Sequence, residues 1–288
     1  MRIAAIHGSD GKNFGTIDGN KFRPLISDGA PVSDLRDVID LVGKGAGALE
    51  YGAALDLDGL KLVAPVGPLA KNVVCVGKNY HEHAKEFARS GVDQSGDQQE
   101  TPEFPVVFTK AVTSLAGPFD AVDASLDPTN SVDYEGELGV VIGRRAKNVK
   151  HDDALDYVFG YTIVNDITAR TIQQRHRQWF LGKSLDGFCP VGPVLVTADE
   201  FGVPDGQELA TYVNDERRQF SPLRDLIFDV GDIIEAVSAC VPLDPGDLIA
   251  TGTPAGVGIG FDPKRFLKAG DVVRVTISGI GELVNPIV

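Results

Sequence analysis

The chain has 288 residues, 43% of them hydrophobic, and this length can bury the core of one large domain together with a small one. Its 41 acidic and 27 basic residues give a formal net charge of -14, which repels phosphate backbones and anionic lipid surfaces. We therefore expect no nucleic-acid partner and no membrane partner.

The start of the chain and its cysteines predict a cytoplasmic protein. Residues 1–6 run into charged and turn residues without the apolar core of a signal peptide, and no apolar run approaches the ~18 residues that cross a bilayer. Cys75, Cys189 and Cys240 are widely spaced and odd in number, so neither a disulfide framework nor a cysteine zinc site is indicated. We expect three reduced, buried thiols.

The first part of the chain is typical of a small α+β unit. Short apolar runs at residues 3–6, 14–17 and 22–25, separated by Asp-Gly pairs, predict a strand meander. Ser33 is the predicted N-cap of a one-faced helix, and Gly43 stands where a C-cap belongs.

A linker rich in Ala, Pro and Gly at residues 64–70 divides the chain. We predict a small N-terminal domain over residues 1–66 and a second domain over residues 67–288. Strands dominate the second domain, which predicts a mainly antiparallel β architecture with a few helices. The predicted strands cover residues 73–76, 106–109, 136–142, 157–164, 194–197, 210–213, 248–251 and 272–277.

Three other segments of the second domain carry local signals. Asp229 is the predicted cap of a helix that follows it, and Asn214-Asp215 is a predicted hairpin turn. Residues 89–103 have loop composition and are long for a connection inside a domain, which is typical of a lid over a binding site.

Two closely spaced carboxylates lead into a strongly apolar strand. Glu135 and Glu137 share one face, because alternate residues of a strand point to the same side. Asp166 follows another apolar run and is a third candidate. Carboxylates without Cys or His neighbours favour a hard ion such as Mg²⁺, Mn²⁺ or Ca²⁺ over zinc. Paired glutamates are also common on solvated strand faces, so the pair alone leaves both interpretations open.

A histidine and a glutamate three residues apart occupy a predicted short helix. On that helix Glu86 is next to His83 and can orient the imidazole and raise its basicity, which is a general-base arrangement. A surface helix with satisfied polar groups is the alternative. The nearby His81 also permits a zinc pair, but no further Cys or His lies at ligand spacing.

The glycine-rich run at residues 251–260 invites a nucleotide-binding interpretation. It lacks the Gly-Lys-Ser/Thr of a P-loop, and Pro254 interrupts the turn that a dinucleotide site needs. A tight loop that brings backbone amides to a ligand is the better interpretation.

Taken together and in this order, the motifs resemble the fumarylacetoacetate hydrolase family. The matching stretches fall within residues 72–288 and are residues 75–86, Phe108-Thr109-Lys110, Glu135-Gly136-Glu137-Leu138, residues 165–170, Gly182-Lys183-Ser184, Gly246-Asp247 and residues 251–254. The resemblance implies a mainly β (α+β) fold, with a catalytic domain built as a mixed β-sandwich roll, a small N-terminal α+β domain and usually a homodimer.

The resemblance also implies roles for individual residues. Glu135, Glu137 and Asp166 correspond to ligands of Mg²⁺, or of Mn²⁺ or Ca²⁺ in its place. His83 and Glu86 correspond to a catalytic dyad, and Lys183 is assigned with them as catalytic. Four further residues correspond to substrate-binding or pocket positions, namely Arg170, Gln173, Lys110 and Thr253. One cation together with Arg170 and Lys183 would make the pocket locally positive in an otherwise acidic protein.

Such a site suits a small 2-oxo acid, whose reaction at C3 passes through an enolate. The leading hypothesis is a hydrolase that cleaves the C–C bond of an acylpyruvate-type 2,4-dioxo acid and releases pyruvate. The alternatives within the family are an oxaloacetate decarboxylase and a 2,4-diketo-3-deoxy sugar acid hydrolase. A metal-stabilised binding or structural protein with an inactive dyad is the alternative from a different class.

Overall fold

The computed structural model describes residues 1–8, 11–89 and 101–288. Most of the predicted lid at residues 89–103 lies outside the described residues. Within them, strands hold more of the chain than helices, which confirms the mainly β (α+β) prediction. No helix in this part of the chain is both long enough and apolar enough to span a bilayer.

The N-terminal segment forms the predicted meander and helix. Its strands are β1 (Arg2–Gly8), β2 (Gly11–Asp18), β3 (Lys21–Ser27), β4 (Ala30–Pro31), β5 (Glu50–Tyr51), β6 (Leu55–Asp56) and β7 (Leu62–Val63), and its helix is α1 (Leu35–Gly43). The predicted cap was wrong by one residue: Asp34, not Ser33, is extended and accepts a hydrogen bond from the amide of Arg36. Gly43 is the last helical residue, and Lys44 is the C-cap.

The rest of the chain adds thirteen strands and six helices among the described residues. The strands are β8 (Val73–Gly77), β9 (Val106–Lys110), β10 (Leu115–Ala116), β11 (Val132–Asp133), β12 (Gly136–Ile142), β13 (Val158–Asn165), β14 (Thr168–Ala169), β15 (Cys189–Thr197), β16 (Glu208–Val213), β17 (Glu216–Pro222), β18 (Leu248–Ala250), β19 (Val272–Ile277) and β20 (Gly281–Pro286). The helices are α2 (His81–Arg89), α3 (His151–Ala154), α4 (Arg170–Arg175), α5 (Phe180–Lys183), α6 (Ala198–Phe201) and α7 (Val230–Cys240). Asp229 caps α7 as predicted, and β16 and β17 form the predicted hairpin.

One long sheet runs through the molecule in the order β4-β3-β2-β1-β15-β13-β12-β18-β8-β9, and a second sheet has the order β17-β16-β19-β20. Most neighbours are antiparallel, whereas β18–β8 and β10–β15 are parallel. Ile3 of β1 pairs with Leu195 of β15, so the N-terminal strands extend the long sheet. The domain boundary after residue 66 stays a prediction.

Strand β12 lies in the middle of the long sheet and is buried along its whole length. Leu138 and Val140 point into one apolar core, while Val141 points into a second core on the opposite face. Because both faces are covered, a register shift of one residue would exchange the side chains that fill the two cores and would disrupt the packing of both. The register of β12, and with it the position of Glu137, is therefore fixed by burial.

The cysteines follow the prediction at two of three positions. Cys75 and Cys189 are buried and unpaired, but Cys240 is free and exposed, so its predicted burial was wrong. Cys240 is the last residue of α7, and this helix buries the face that carries Ile233, Ile234 and Val237.

Candidate active site

The three carboxylates meet because β12 and β13 are paired next to them. Gly136 lies opposite Asn165, so Glu135 and Asp166 flank the same end of the strand pair. The amide of Asp166 donates to the carbonyl of Glu135 (2.8 Å), and the side chain of Asn165 accepts from the amide of Glu135 (3.1 Å). This local backbone arrangement brings Asp166 beside the Glu135 and Glu137 face.

The spacing of these carboxylates fits one divalent ion. One oxygen from each of Glu135, Glu137 and Asp166 lies within 4.8 Å of the others, and all three side chains are buried. Two oxygens on opposite sides of an ion are ~4.2 Å apart for Mg²⁺ and ~4.8 Å apart for Ca²⁺, given the usual metal–oxygen distances. A set made only of carboxylate oxygens favours such hard ions, so the residues present fit the predicted metal.

Three buried cations surround the same carboxylates. Lys183 Nζ lies 2.6 Å from Asp166 and 2.5 Å from Glu135, and Lys110 Nζ lies 2.6 Å from the other oxygen of Asp166. Arg170 Nη2 forms an ion pair with Glu135 at 2.6 Å. Among the described residues, no ion pair involves Glu137, whose carboxylate accepts a hydrogen bond from the amide of Gly252 (2.8 Å).

The two glutamates therefore differ in their electrostatics. Burial raises the pKa of Glu135, but the charges of Arg170 and Lys183 outweigh burial and hold that pKa below its ordinary value. Burial, and then the charges of Asp166 and Glu135, raise the pKa of Glu137 well above its ordinary value. Ionisation of Glu137 is therefore the least compensated of the three by the protein's own described side chains. A bound cation would compensate it, which supports the fit of a metal.

Of the predicted dyad, His83 lines the same cavity as Glu135 and Glu137. On α2, His83 Nδ1 lies 3.2 Å from Glu86 Oε2, and His83 is almost fully buried. Asn79 fixes the start of this helix, because its side-chain amide donates to the carbonyl of Thr251 (2.7 Å) and its oxygen accepts from the amide of Phe228 (2.8 Å). The imidazole therefore projects from a well-anchored helix end.

Lys183 enters the site through a close contact between α4 and α5. A Cβ on Gly182 would lie 2.4 Å from the backbone nitrogen of Gln173, so only glycine permits this approach. The side chain of Gln173 accepts from Arg170 (3.3 Å). Thr253 donates to the carbonyl of Gly136 (2.9 Å), which ties the glycine-rich run to β12.

Seven of the ten predicted site residues line one cavity, whereas Glu86, Lys110 and Asp166 do not. The cavity is small, because only about 20 Å³ of it can hold the centre of a water molecule, which is room for roughly one water. Among the predicted residues on its wall are His83, Arg170, Gln173 and Thr253. Lys110 is not on this wall; it is fully buried behind Asp166 and donates to Asp166 and to the carbonyl of Ile167.

The sequence interpretation missed several residues of the cavity. Phe108 and Trp179 form an aromatic side, with ring centroids 5.2 Å apart, and Lys183 Nζ lies 5.0 Å from the centroid of Phe108. Lys78 also lines the cavity, is 7% exposed, and has a left-handed backbone (φ 55°) that is costly for a residue other than glycine. The only signal for Lys78 was its place in the Gly-Lys-Asn turn before α2.

Comparison with known proteins identifies the family. Residues 72–288 match the family model described as Fumarylacetoacetate (FAA) hydrolase C-terminal. The chain therefore belongs to the fumarylacetoacetate hydrolase family and is an enzyme of that family. A similar curated relative is oxaloacetate tautomerase YisK of Bacillus subtilis (strain 168), which is 47% identical over 231 residues, or 80% of this chain and 74% of the relative.

Solved structures support the same fold over the full chain. One is maleylpyruvate hydrolase from Sphingobium sp. SYK-6 in complex with manganese(II) ion and pyruvate, with a TM-score of 0.77, 32% identity and coverage of 100% of this chain and 99% of that one. Another is 2-hydroxyhepta-2,4-diene-1,7-dioate isomerase from Mycobacterium marinum, with a TM-score of 0.76, 37% identity and coverage of 100% and 98%. These relatives carry out a tautomerisation, a hydrolysis and an isomerisation, so the family alone does not fix the reaction.

Proposed function

We propose that the enzyme acts at C3 of a small 2-oxo dicarboxylic acid of the oxaloacetate class and interconverts its enol and keto forms. The observation that carries the proposal is the meeting of Glu135, Glu137 and Asp166 with Lys183 and Arg170 in the cavity that His83 lines. This combination places positive charge where an enolate develops and a proton-transfer group beside it.

A divalent cation held by the three carboxylates would supply positive charge next to the oxygen on C2 and so lower the energy of the enolate. The chain's own residues supply the remaining functions. Lys183 adds positive charge on the same side, and Arg170 binds the substrate carboxylate. His83, oriented by Glu86, delivers a proton to C3 while the hydroxyl on C2 releases its proton to solvent. The keto form results, and the reverse steps regenerate the enol.

The charge balance of the cavity favours a dianionic substrate. The cations of Lys78, Arg170 and Lys183 line the cavity together with the carboxylates of Glu135 and Glu137, and all five side chains are buried. A bound divalent cation would add two positive charges, so the site would suit a 2-oxo dicarboxylate better than a monocarboxylate. In this arrangement Lys78 binds the second carboxylate. The resemblance to an oxaloacetate tautomerase supports the same substrate class.

Hydrolysis of an acylpyruvate is the second candidate, and the His83–Glu86 pair favours it. In this reaction His83 takes a proton from water and the hydroxide adds to the carbonyl at C4. The C3–C4 bond then breaks, which releases a carboxylic acid and the enolate of pyruvate, and C3 is protonated. The resemblance to maleylpyruvate hydrolase supports this candidate, and Phe108 and Trp179 offer an apolar side for the acyl group.

Two sets of measurements on the Mg²⁺-loaded and Mn²⁺-loaded protein separate the candidates. The ultraviolet absorbance of the enol of oxaloacetate follows tautomerisation, and coupled detection of pyruvate follows decarboxylation and hydrolysis. Rapid loss of the enol without pyruvate supports the proposal. Release of pyruvate from acetylpyruvate, with no effect on oxaloacetate, would show that the reaction is hydrolysis and not tautomerisation. Release of pyruvate from oxaloacetate would show that the reaction is decarboxylation.

A lysine variant tests the dicarboxylate class separately. Lys78→Met is expected to raise the KM for oxaloacetate by about 10-fold or more, because a buried charge partner of the second carboxylate is lost. The KM for acetylpyruvate, which has one carboxylate, is expected to change much less. Lys85→Met is the matched control on the exposed side of α2, where Lys85 pairs with Glu82. Equal effects of Lys78→Met on both substrates would contradict the role of Lys78.

A further inference from the structure

The glycine-rich run uses its backbone amides on two carboxylates of the protein itself. The amide of Gly256 donates to both oxygens of Glu86 (3.1 and 3.2 Å). The amides of Gly258 and Ile259 donate to Asp133 (2.7 and 3.0 Å). Residues 256–260, which we name the amide loop, therefore hold Glu86 at one end and Asp133 at the other.

Steric contacts explain the glycines of the amide loop. A Cβ on Gly260 would lie 1.8 Å from Glu86 Oε1, and a Cβ on Gly258 would lie 2.7 Å from Asp133 Oδ1. Gly256 has φ 104°, a conformation that favours glycine. The glycines thus allow the loop to close around the two carboxylates.

Asp133 also holds Arg170, through the same oxygen that accepts from the amide of Ile259 in the amide loop. Arg170 Nε donates to Asp133 Oδ2 at 2.9 Å, and both side chains are almost fully buried. The glycine-rich run and the paired glutamates do not predict, as sequence motifs, any physical connection between His83 and Arg170. In the folded chain they are joined by hydrogen bonds to the two ends of the amide loop and by the loop backbone between those ends.

The helix of the dyad packs against the same loop. Phe87 of α2 shares a small apolar cluster with Val257 and Ile259, and Trp179 packs against this cluster. The amide loop therefore fixes α2 by apolar contact as well as by the hydrogen bonds to Glu86. A displacement of the loop would move Glu86, and with it the imidazole of His83.

We propose that Asp133 and the amide loop form a positioning device that sets the His83–Glu86 dyad relative to Arg170. This inference rests on the proposed roles of His83 and Arg170. Asp133 acts through other residues and is a positioning residue. Its carboxylate holds the guanidinium of Arg170 directly and holds the dyad through the loop. The distance between His83 and the substrate carboxylate bound by Arg170 is therefore kept constant.

The test uses two variants and one control. Asp133→Asn removes the charge and one of the two acceptor oxygens. Gly260→Ala places a methyl group against Glu86 at an exposed position, which preserves folding and changes no charge. Gly43→Ala is the control, since a Cβ there meets nothing within 4 Å and the residue ends α1.

The first readout needs no activity. In nitrogen-15 NMR spectra of the metal-free protein, the Nδ1 signal of His83 is expected to move in Asp133→Asn and in Gly260→Ala and to stay in place in Gly43→Ala. The His83→Ala variant assigns the signal. An unchanged His83 signal in both variants overturns the proposal. Because this readout does not depend on turnover, it decides the matter even if the proposed reaction is wrong.

The second readout separates the two ends of the device. Gly260→Ala is expected to lower kcat by about 10-fold with little change in KM, since Arg170 is undisturbed, whereas Asp133→Asn lowers kcat and raises KM. If Asp133→Asn folds poorly, Gly260→Ala alone carries the test. A wild-type kcat in Gly260→Ala, or an effect of Asp133→Asn on KM alone, overturns the proposal.

Discussion

The ammonium nitrogen of Lys183 lies 2.6 Å from Oδ2 of Asp166, and both side chains are buried. The same ammonium contacts Glu135, so one lysine pairs with two of the three carboxylates of the candidate metal site. Glu137 receives one backbone hydrogen bond, from Gly252, and has no ion pair among the described residues. Its charge is the one that a metal ion would compensate most.

Glu137→Gln is therefore expected to separate metal binding from folding. In metal-free buffer the melting temperature stays equal or rises, because the amide has no charge to bury. Mg²⁺ at about 100 times its Kd stabilises the wild type by about 2.7 kcal/mol, or roughly 5 to 10 °C, and this rise is lost in the variant. Glu50→Gln, at an exposed position, is the control that keeps the rise. A variant that still gains the full shift from Mg²⁺ would rule out Glu137 as a ligand.

His83→Ala tests the proton transfer. Turnover of the preferred substrate is expected to fall by about 10²-fold or more, while stabilisation by Mg²⁺ persists, because His83 is not one of the three carboxylates. Decarboxylation of oxaloacetate depends less on this residue, since loss of CO₂ requires no base. Kinetics on both reactions therefore show which of them uses His83. Full activity in His83→Ala would place the proton-transfer group elsewhere, with His81 the next residue to replace.

His151 gives a pH dependence that is unrelated to the cavity. Hydrogen bonds to Asp229 and Asp152 raise the pKa of His151 from 6.5 to about 9. A raised folded-state pKa gives stabilisation that is complete below pH ~6.5 and disappears as the pH rises through about 9. His151→Gln is thus expected to lower the melting temperature at pH 6 and to have no effect at pH 10.

The size of this effect is small because His151 is 45% exposed. Screening by solvent limits the pair with Asp229 to less than about 1 kcal/mol, or roughly 1 to 3 °C in melting temperature. Thermal melts at pH 6 and pH 10, each in low and high salt, provide the measurement. A difference that grows with pH would contradict the assignment.

The pairing of β1 with β15 predicts that residues 1–66 unfold together with the rest of the chain. Ile3 is fully buried in a core that also contains Val164 and Leu195. Ile3→Ala is expected to cost about 2 to 4 kcal/mol and to lower a single calorimetric transition by roughly 5 to 15 °C. Val203→Ala, at a 65% exposed position, is the control. Two transitions, with only one shifted by Ile3→Ala, would show that the N-terminal segment unfolds separately.

Local sequence determined much of the secondary structure. The strand Gly136–Ile142 and the strand Val272–Ile277 were predicted with their observed bounds, because continuous or alternating apolar residues flanked by turn residues are a local signal. The cap of α1 was misplaced by one residue, since Ser33 and Asp34 are both good caps and only the backbone conformation distinguishes them. The candidate metal ligands, the dyad and Arg170 were named from short motifs. The structure brings the three carboxylates together, and His83 and Arg170 line the same cavity as Glu135 and Glu137.

Only the tertiary structure decided which segments that are distant in sequence contact one another. The sequence shows Lys110 as a cation near a strand end, but only the fold places it behind Asp166 and away from the cavity wall. It also shows a glycine-rich run, but not that its amides bind Glu86 and Asp133. Motif and periodicity report on neighbours along the chain, whereas burial, charge compensation and hydrogen-bond partners depend on contacts between distant residues, and these exist only once the sheets have packed.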